Sequence, residues 1–417
     1  MHRPATFIGP KGIPAPSVRE RIIGKWLFDG TFPMPTAVLR SEQLNANIST
    51  MSDFCADFGL LLAPHAKTTM SPELIQRQLQ AGAWGMTVAT AWQAGQVAAM
   101  GVQRILIANE VSDGGSLHLL QQVLADRDDM RLWCYVDSVD ALDRLGSLAP
   151  FAERIGLLVE FGIKGGRTGV RTPAEAITLA RIVARGPFHL AGISGFEGLI
   201  GGSDLTDGIA QVDAYLDEMA RIARTAWDES LLSSTEFPIV TVGGSAYPDR
   251  VALCLVPALS GLGINVVLRS GCYISHDSLA YDACSPFGSS PRLPYALHEA
   301  LEVWAPILST PEDGRAIASM GRRDCSFDAG LPVARRLLKH SEQVPVSIPE
   351  GEASPITVVA LNDQHAYLDV GAELGLQVGD LVGFGISHPC TTFDKWGMIP
   401  IVNQRDVVVD IATTRFT

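Results

Sequence analysis

The sequence offers little to a nucleic acid, an oxidising compartment or a membrane. Basic residues are in the minority: 32 Lys and Arg face 45 Asp and Glu, a net charge of −13. No basic stripe is available to neutralise a phosphate backbone, so a nucleic-acid partner is not expected. The acidic surface favours solubility instead. Cysteine is scarce and shows no pairing pattern. Seven occur, at 55, 134, 254, 272, 284, 325 and 390, with no Cys-x-x-Cys. Several lie in apolar runs, such as Trp133-Cys134-Tyr135 and Leu253-Cys254-Leu255. They read as reduced, buried thiols of a cytoplasmic protein. Met1 to Pro16 lacks the apolar core of a secretory leader. Val251 to Leu268 is uncharged and long enough for a membrane span. Pro257, Gly261, Gly263 and Asn265 interrupt it, which predicts a buried helix followed by a strand. No internal repeat or low-complexity tract is visible, and no Gly-x-Gly-x-x-Gly follows the first predicted strand, which weakens a dinucleotide-binding reading.

What is present is core. Hydrophobic residues make up 47% and charged residues 18% of the chain, ample for a large folded protein. Eight short β-rich runs alternate with helical patterns: Leu60–Ala63, Met86–Ala89, Arg104–Ala108, Arg131–Asp137, Ile155–Phe161, Leu190–Phe196, Ile239–Val242 and Asn265–Arg269. Amphipathic segments such as Pro72–Ala81, Ala91–Met100 and Ala174–Arg185 lie between them. Continuous apolar strands separated by helices imply a parallel sheet covered on both faces. Eight such units imply an α/β fold of the (β/α)8 barrel type, with an open doubly wound sheet as the alternative. From about Tyr295, the runs Leu301–Ile307, Ile356–Val359, Ala366–Val370 and Val407–Ile411 are joined by turn residues, which predicts a mostly antiparallel β domain. Only Leu331–Lys339 keeps a helical spacing there. The expected division is a proline-rich arm over residues 1–35, a barrel over 36–290 and a β domain over 291–417.

Three features could carry chemistry. Lys67, in Pro64-His65-Ala66-Lys67-Thr68, follows the first barrel strand. It should therefore project at the C-terminal mouth, where such barrels place their sites. There it could serve as an amine nucleophile, although a lysine at a strand end is by default a surface charge. Two glycine-rich turns follow the seventh and eighth strands: Gly243-Gly244-Ser245 and Gly271-Cys272-Tyr273. Barrels often seat a phosphate at these loops, on backbone N–H groups; ordinary turn glycines are the plainer reading. Third, His388-Pro389-Cys390 sets an imidazole and a thiol two residues apart. That donor pair suits Zn²⁺ in an open site, but so short a spacing more often means a buried thiol beside a surface histidine. Asn109, Glu110, Glu160, Arg167, Glu197, Asp277, Asp363 and His365 also fall at strand ends, where each is ordinarily a capping or solvated group.

Taken together, these residues resemble a known family. Pro64-His65-Ala66-Lys67-Thr68 with Ser71-Pro72-Glu73 is similar to the pyridoxal-phosphate (PLP) segment of the D-threonine aldolase and D-serine dehydratase family, the alanine-racemase-like PLP enzymes of fold type III. The likeness continues through Ile107-Ala108-Asn109-Glu110, Arg167-Thr168-Gly169-Val170, Val242-Gly243-Gly244, Gly271-Cys272-Tyr273, Asp328-Ala329-Gly330-Leu331-Pro332 and His388-Pro389-Cys390. The resemblance implies PLP on Lys67, with His65 among its contacts and Arg167 near the pyridine ring. It places the phosphate on Gly243, Gly244, Ser245, Gly271, Cys272 and Tyr273. It also implies a divalent metal on His388 and Cys390 (Zn²⁺, or else Mn²⁺ or Mg²⁺), a homodimer, and a small D-amino acid as substrate. One departure stands out: Phe196, in Gly195-Phe196-Glu197-Gly198, occupies a position where many members have tyrosine.

Two reactions then compete. Loss of water from a D-3-hydroxy amino acid gives a 2-oxo acid and ammonia; retro-aldol cleavage gives glycine and an aldehyde. In the family, His-x-Cys accompanies dehydratases and His-x-Asp more often accompanies aldolases, so Cys390 favours a D-serine or D-threonine dehydratase. A racemase would leave His388 and Cys390 idle. A PLP-carrier protein resembling the small single-barrel relatives would lack the β domain.

Overall fold

A computed structural model describes residues 11, 22–201, 205–233, 236–349, 351 and 354–416. Of the expected N-terminal arm, only Lys11 and residues 22–35 are among them; the remainder lies outside the described residues. The chain divides into two compact units: Met51–Met70 with Ile75–Gly271, and Met1–Thr50 with Ser71–Leu74 and Cys272–Thr417. Residues 36–50 and 272–290 thus group with the C-terminal unit, where the sequence suggested the barrel. The reason is visible in the first strand. β1 (Thr36–Arg40) pairs antiparallel with β10 (Leu301–Glu312), Thr36 opposite Trp304, and parallel with β17 (Met398–Val402).

The barrel unit holds all eight expected strands: β2 (Leu61–Leu62), β3 (Met86–Val88), β4 (Arg104–Ile107), β5 (Arg131–Val136), β6 (Ile155–Phe161), β7 (His189–Gly195), β8 (Ile239–Val242) and β9 (Asn265–Leu268). From β3 to β9 each pairs parallel with the next, β9 pairs back to β2, and a single bridge between His65, just after β2, and Thr87 of β3 closes the ring. This is a (β/α)8 barrel rather than an open sheet. Leu106, Trp133, Tyr135, Leu158, Ala191, Ile239 and Val267 pack as its interior. The helices that follow the strands begin at side-chain caps in the loops of the C-terminal face. Thr90 accepts from Gln93 N, Asp113 from Ser116 N and Ser138 from Ala141 N, and Thr172 forms a full capping box with Glu175. Each cap satisfies an N–H that the first turn leaves unpaired, so it pins the strand-to-helix turn that bears functional residues. The uncharged Val251–Leu268 segment is the expected helix (Val251–Leu259, its first turn a π-type widening) followed by β9, but the helix buries only one face, with Leu253 exposed. Among the described residues, no helix is long and apolar enough to cross a membrane.

The second unit is a ten-stranded sheet, antiparallel apart from the β1–β17 pair. Its remaining strands are β11 (Arg315–Ala318), β12 (Val333–Leu338), β13 (Val346–Ser347), β14 (Ile356–Leu361), β15 (Ala366–Val370), β16 (Leu381–Gly385) and β18 (Val408–Thr413). The helical spacing at Leu331–Lys339 was misleading: this is β12, paired with β13 and β16. A register shift between Ala334 and Arg336 breaks the two-residue alternation. That bulge leaves Ala334, Leu337 and Leu338 on a spacing of three and four, which mimics a helix.

One buried network ties this sheet together. Arg40 and Arg336 both bind the carboxylate of Asp406, Arg336 with two bonds of 2.8 Å. Asp406 is 2% exposed and stands at φ +56°. We expect Asp406→Ala to destabilise the protein by about 3–5 kcal/mol, because it strands two cations in a dry setting. Asp406→Asn, which tolerates the left-handed backbone, should lose less. Urea unfolding midpoints of the two variants check this ranking; equal losses would show that the lost charge alone decides and that the backbone conformation contributes nothing.

Candidate active site

The C-terminal mouth of the barrel encloses a cavity of about 200 Å³. Its wall is contributed strand by strand. His65 and Lys67 follow β2, Asn109 follows β4, Tyr135 lies on β5 and Glu160 on β6. Arg167 and Thr168 come from the next loop, Phe196 from the end of β7, Gly243 from the end of β8 and Arg269 from the end of β9. Lys67 sits in a single 3-10 turn, Ala66–Thr68, and is exposed while Ala66 and Thr68 are buried. The turn therefore anchors its backbone and leaves the amine free to reach into the cavity.

The electrostatics are lopsided. Lys67, Arg167 and Arg269 face one lining carboxylate, Glu160. Arg269 is 3% exposed and fixed by bonds of 2.7 Å to Thr241 Oγ1 and to the Gly195 carbonyl. Arg167 lies over the Phe196 ring, 4.5 Å from its centroid, a cation–π contact that orients the guanidinium. Burial, then the charges of Lys67, Arg269 and Arg167, hold His65 well below the usual histidine range, so its imidazole is neutral. Burial likewise pushes the Tyr135 phenol up. His65 Nδ1, Tyr135 Oη and Glu160 Oε2 are all buried without a hydrogen-bond partner. Unsatisfied polar atoms lining one cavity mark a place where a polar ligand would complete the bonding. The cationic excess suits an anionic one.

Of the residues expected from sequence, Lys67, His65, Arg167 and Gly243 line this cavity. Gly244, Ser245 and Gly271 do not, and the two glycine turns have packing duties. A Cβ on Gly243 would lie 2.4 Å from Arg269 N, and one on Gly271 would lie 2.6 Å from the His65 carbonyl oxygen. Glycine lets the ends of neighbouring strands close up at both positions. The Gly244 N–H is already spent, donating to Glu197 Oε1 at 2.8 Å, and Ser270 Oγ donates to the Gly244 carbonyl at 2.6 Å. Cys272 and Tyr273 belong to the other unit, where both are buried in the 3-10 turn Cys272–Ile274. The sequence reading missed Arg269 and Tyr135 as site residues. The available signal was Arg269 itself, a cation closing the apolar strand Val266-Val267-Leu268 at its C-terminal end.

His388 and Cys390 lie in the C-terminal unit, at the start of the short helix Cys390–Phe393. The His388 ring is a hydrogen-bond partner of Cys390, and its Nδ1 is 2.6 Å from Asp328 Oδ2. These two contacts, the thiol first, raise His388 to about 9. Thr391 Oγ1 donates to the other Asp328 oxygen at 3.0 Å. Cys272 Sγ lies 3.4 Å from Cys390 Sγ. Among the described residues, no three His, Cys, Asp or Glu side chains are already grouped to hold a metal. The donors present still fit one: an imidazole and a thiol side by side, with a carboxylate fixing the ring's other nitrogen, is the pattern that orients a metal-binding histidine.

The family model described as "Putative serine dehydratase domain" matches residues 300–402. Over 381 residues the chain is 27% identical to the D-threonine aldolase of an Arthrobacter species, covering 90% of each. It is 28% identical over 380 residues to the D-threo-3-hydroxyaspartate dehydratase of Delftia sp. strain HT23, covering 87% of this chain and 92% of that one. The solved structure of the Delftia enzyme superposes with a TM-score of 0.69 at 22% identity, over 93% of this chain and 98% of that one. Solved variants of a D-threo-3-hydroxyaspartate dehydratase replace a histidine and, two positions later, a cysteine with alanine; the cysteine variant is described as metal-free. An alanine-racemase-like protein from Idiomarina loihiensis superposes with a TM-score of 0.71 at 18% identity, over 92% of this chain and 96% of that one. The chain is thus similar over nearly its whole length to a D-threonine aldolase and a D-threo-3-hydroxyaspartate dehydratase, matches the serine dehydratase domain over residues 300–402, and has the alanine-racemase-like fold.

Proposed function

We propose that this protein is a PLP- and metal-dependent lyase that removes water from a D-3-hydroxy amino acid, giving a 2-oxo acid and ammonia. The observation that carries the proposal is Lys67 in a cavity lined by three cations and three unsatisfied buried polar atoms. That is what a lysine-anchored, phosphate-bearing cofactor needs. Lys67 would hold PLP, with Arg167, Arg269, His65 and Tyr135 around it. PLP supplies an electron sink for the substrate's Cα. His388 and Cys390 would hold the metal, a Lewis acid for the β-hydroxyl. The alanine variants of the dehydratase support that assignment, because their histidine and cysteine have the same spacing.

The chain's own groups set the rest of the mechanism. Lys67, besides holding the cofactor, would be the base for the Cα proton. Arg269 is locked by Thr241 and Gly195. It keeps a fixed positive charge in the cavity, where it would favour an anionic group of the cofactor or substrate. Neutral His65 offers a face or an acceptor rather than a competing cation. The active unit is expected to be a homodimer.

Retro-aldol cleavage is the second reading, favoured by the match to D-threonine aldolase over 90% of the chain. Products separate the two. The purified holoenzyme with D-serine or D-threonine should release pyruvate or 2-oxobutyrate with equimolar ammonia. Glycine and acetaldehyde from D-threonine, without ammonia, would overturn the dehydratase assignment and leave the aldolase.

A further inference from the structure

One lining residue of the cavity, Glu160, is paired with a second acid, Glu110, and the proposed mechanism has used neither. Glu160 lines the cavity and is 6% exposed. Glu110 lies three residues beyond the end of β4, and Glu160 is on β6. Alternate strands of such a barrel turn their inward side chains towards one another. The Asn109 carbonyl accepts from Tyr135 N, which laces the end of β4 onto the strand between them. The two carboxyl groups lie within hydrogen-bonding reach. Both Glu110 oxygens and Glu160 Oε2 are buried without a well-aligned donor. A second carboxyl so close disfavours the ionised form of Glu110, because like charges repel strongly where solvent is excluded. One proton between them removes the repulsion and creates the missing donor.

We propose that Glu110 and Glu160 share one proton and act as a second proton-transfer group of the cavity, Glu160 presenting to the reacting molecule the proton that Glu110 stores. The surroundings support this assignment. Burial, then the hydrogen bond and charge of Glu160, then the charge of Asp137, push Glu110 up to about 8. Asp137 is itself engaged by the Gly169 N–H at 3.1 Å. Cys134 and Tyr135 feel the charge of Glu110, and Tyr135 also feels Glu160, Arg167 and Arg269. His65 faces Lys67 and the two arginines and is neutral. An arginine cannot give up a proton at neutral pH, and the Tyr135 phenol holds its own too tightly. Glu110, beside Glu160, is therefore the group whose proton leaves near the working pH, which is what general acid catalysis demands.

The role rests on the elimination reading above. Lys67 takes the proton from Cα; the Cβ–O bond breaks, and the departing hydroxyl takes the pair's proton as water. The Lys67 ammonium then returns its proton to the pair. One C–H and one C–O bond break, one C=C bond and one O–H bond form, and nothing is oxidised or reduced.

Infrared difference spectroscopy tests the shared proton directly. At pH 7 the holoenzyme should show the carbonyl stretch of a protonated carboxyl, disappearing as the pH rises through about 8. Glu110→Gln should remove that band. The same variant should lose about 10²-fold in kcat, with KM within about threefold of wild type and the cofactor's visible absorbance intact. The alkaline limb of its pH–rate profile should be gone. Glu110→Asp, which can still share a proton, should recover part of the rate. If Glu110→Gln lowers the cofactor content, the infrared band and the Glu110→Asp rate decide. No protonated-carboxyl band at pH 7, or an unchanged profile in Glu110→Gln, overturns the proposal. The infrared signal does not depend on which product forms. A shared proton found together with glycine as product would therefore sink the elimination reading while leaving the pair in place.

Discussion

Replacing Lys67 with alanine is expected to abolish both the visible absorbance of the bound cofactor and at least about 10⁴-fold of kcat. The magnitude follows from two duties resting on one amine. On the proposed function it anchors the cofactor covalently and exchanges a proton with Cα, a step whose base alone is worth about 10²–10⁴-fold. At 1.36 kcal/mol per factor of ten, the loss corresponds to about 5 kcal/mol of barrier. The fold should survive. Lys67 is exposed, and its turn is held by its neighbours: Thr68 N bonds to the His65 carbonyl, and Thr69 N and Met70 N to the Ala66 carbonyl. An unchanged unfolding midpoint is therefore part of the prediction, since it separates lost chemistry from lost structure. Lys67→Arg sharpens the test. It keeps the charge but cannot form the covalent link, so it should be as inactive as alanine. A variant that stayed yellow and active without Lys67 would place the cofactor elsewhere, and the cavity would need another explanation.

How much of this was legible in the sequence depends on the range of the force involved. The eight barrel strands were readable because a parallel strand buried on both faces must be apolar throughout, and local runs such as Ile155–Phe161 record that directly. Lys67 was readable once its strand was, because barrel topology alone sends the residue after β2 to the mouth. β1 was not readable as part of the C-terminal sheet. Its partners lie more than 250 residues away in β10 and β17, and nothing in Thr36–Arg40 names them. β12 was misread because a bulge shifts its register. The glycine turns illustrate a different limit. Gly243 and Gly271 are required, but by the close approach of Arg269 N and the His65 carbonyl, and a sequence does not say what a glycine is making room for. Arg269 was overlooked because a single buried cation at a strand end has no periodicity, although its bonds to Thr241 and Gly195 make it one of the most firmly held groups of the cavity.

On the proposed function, removing the metal should be the next most damaging change, and it should act without touching the cofactor. Treatment with a chelator is expected to lower kcat by about 10²–10³-fold, the several kcal/mol that a Lewis acid gives to a leaving oxygen. The visible absorbance should persist, because that signal belongs to Lys67. Adding Zn²⁺ back should restore the rate. The variants should grade by their distance from the ion. His388→Ala and Cys390→Ala each delete a donor, so added metal should not rescue them at ordinary concentrations. Asp328→Asn keeps both donors but weakens the hold on His388 Nδ1, a contact of 2.6 Å. It should bind the ion about 10–100-fold more weakly and recover full activity when the metal is raised. The sulfur donor predicts the choice of ion: a thiolate prefers Zn²⁺ to Mg²⁺, which favours oxygen ligands. Cys390→Asp should shift that preference towards Mn²⁺ and Mg²⁺, read as the metal that best restores the chelated enzyme. If the chelator has no effect, His388 and Cys390 are a hydrogen-bonded pair and not a metal site, and the β-hydroxyl must leave by proton transfer alone.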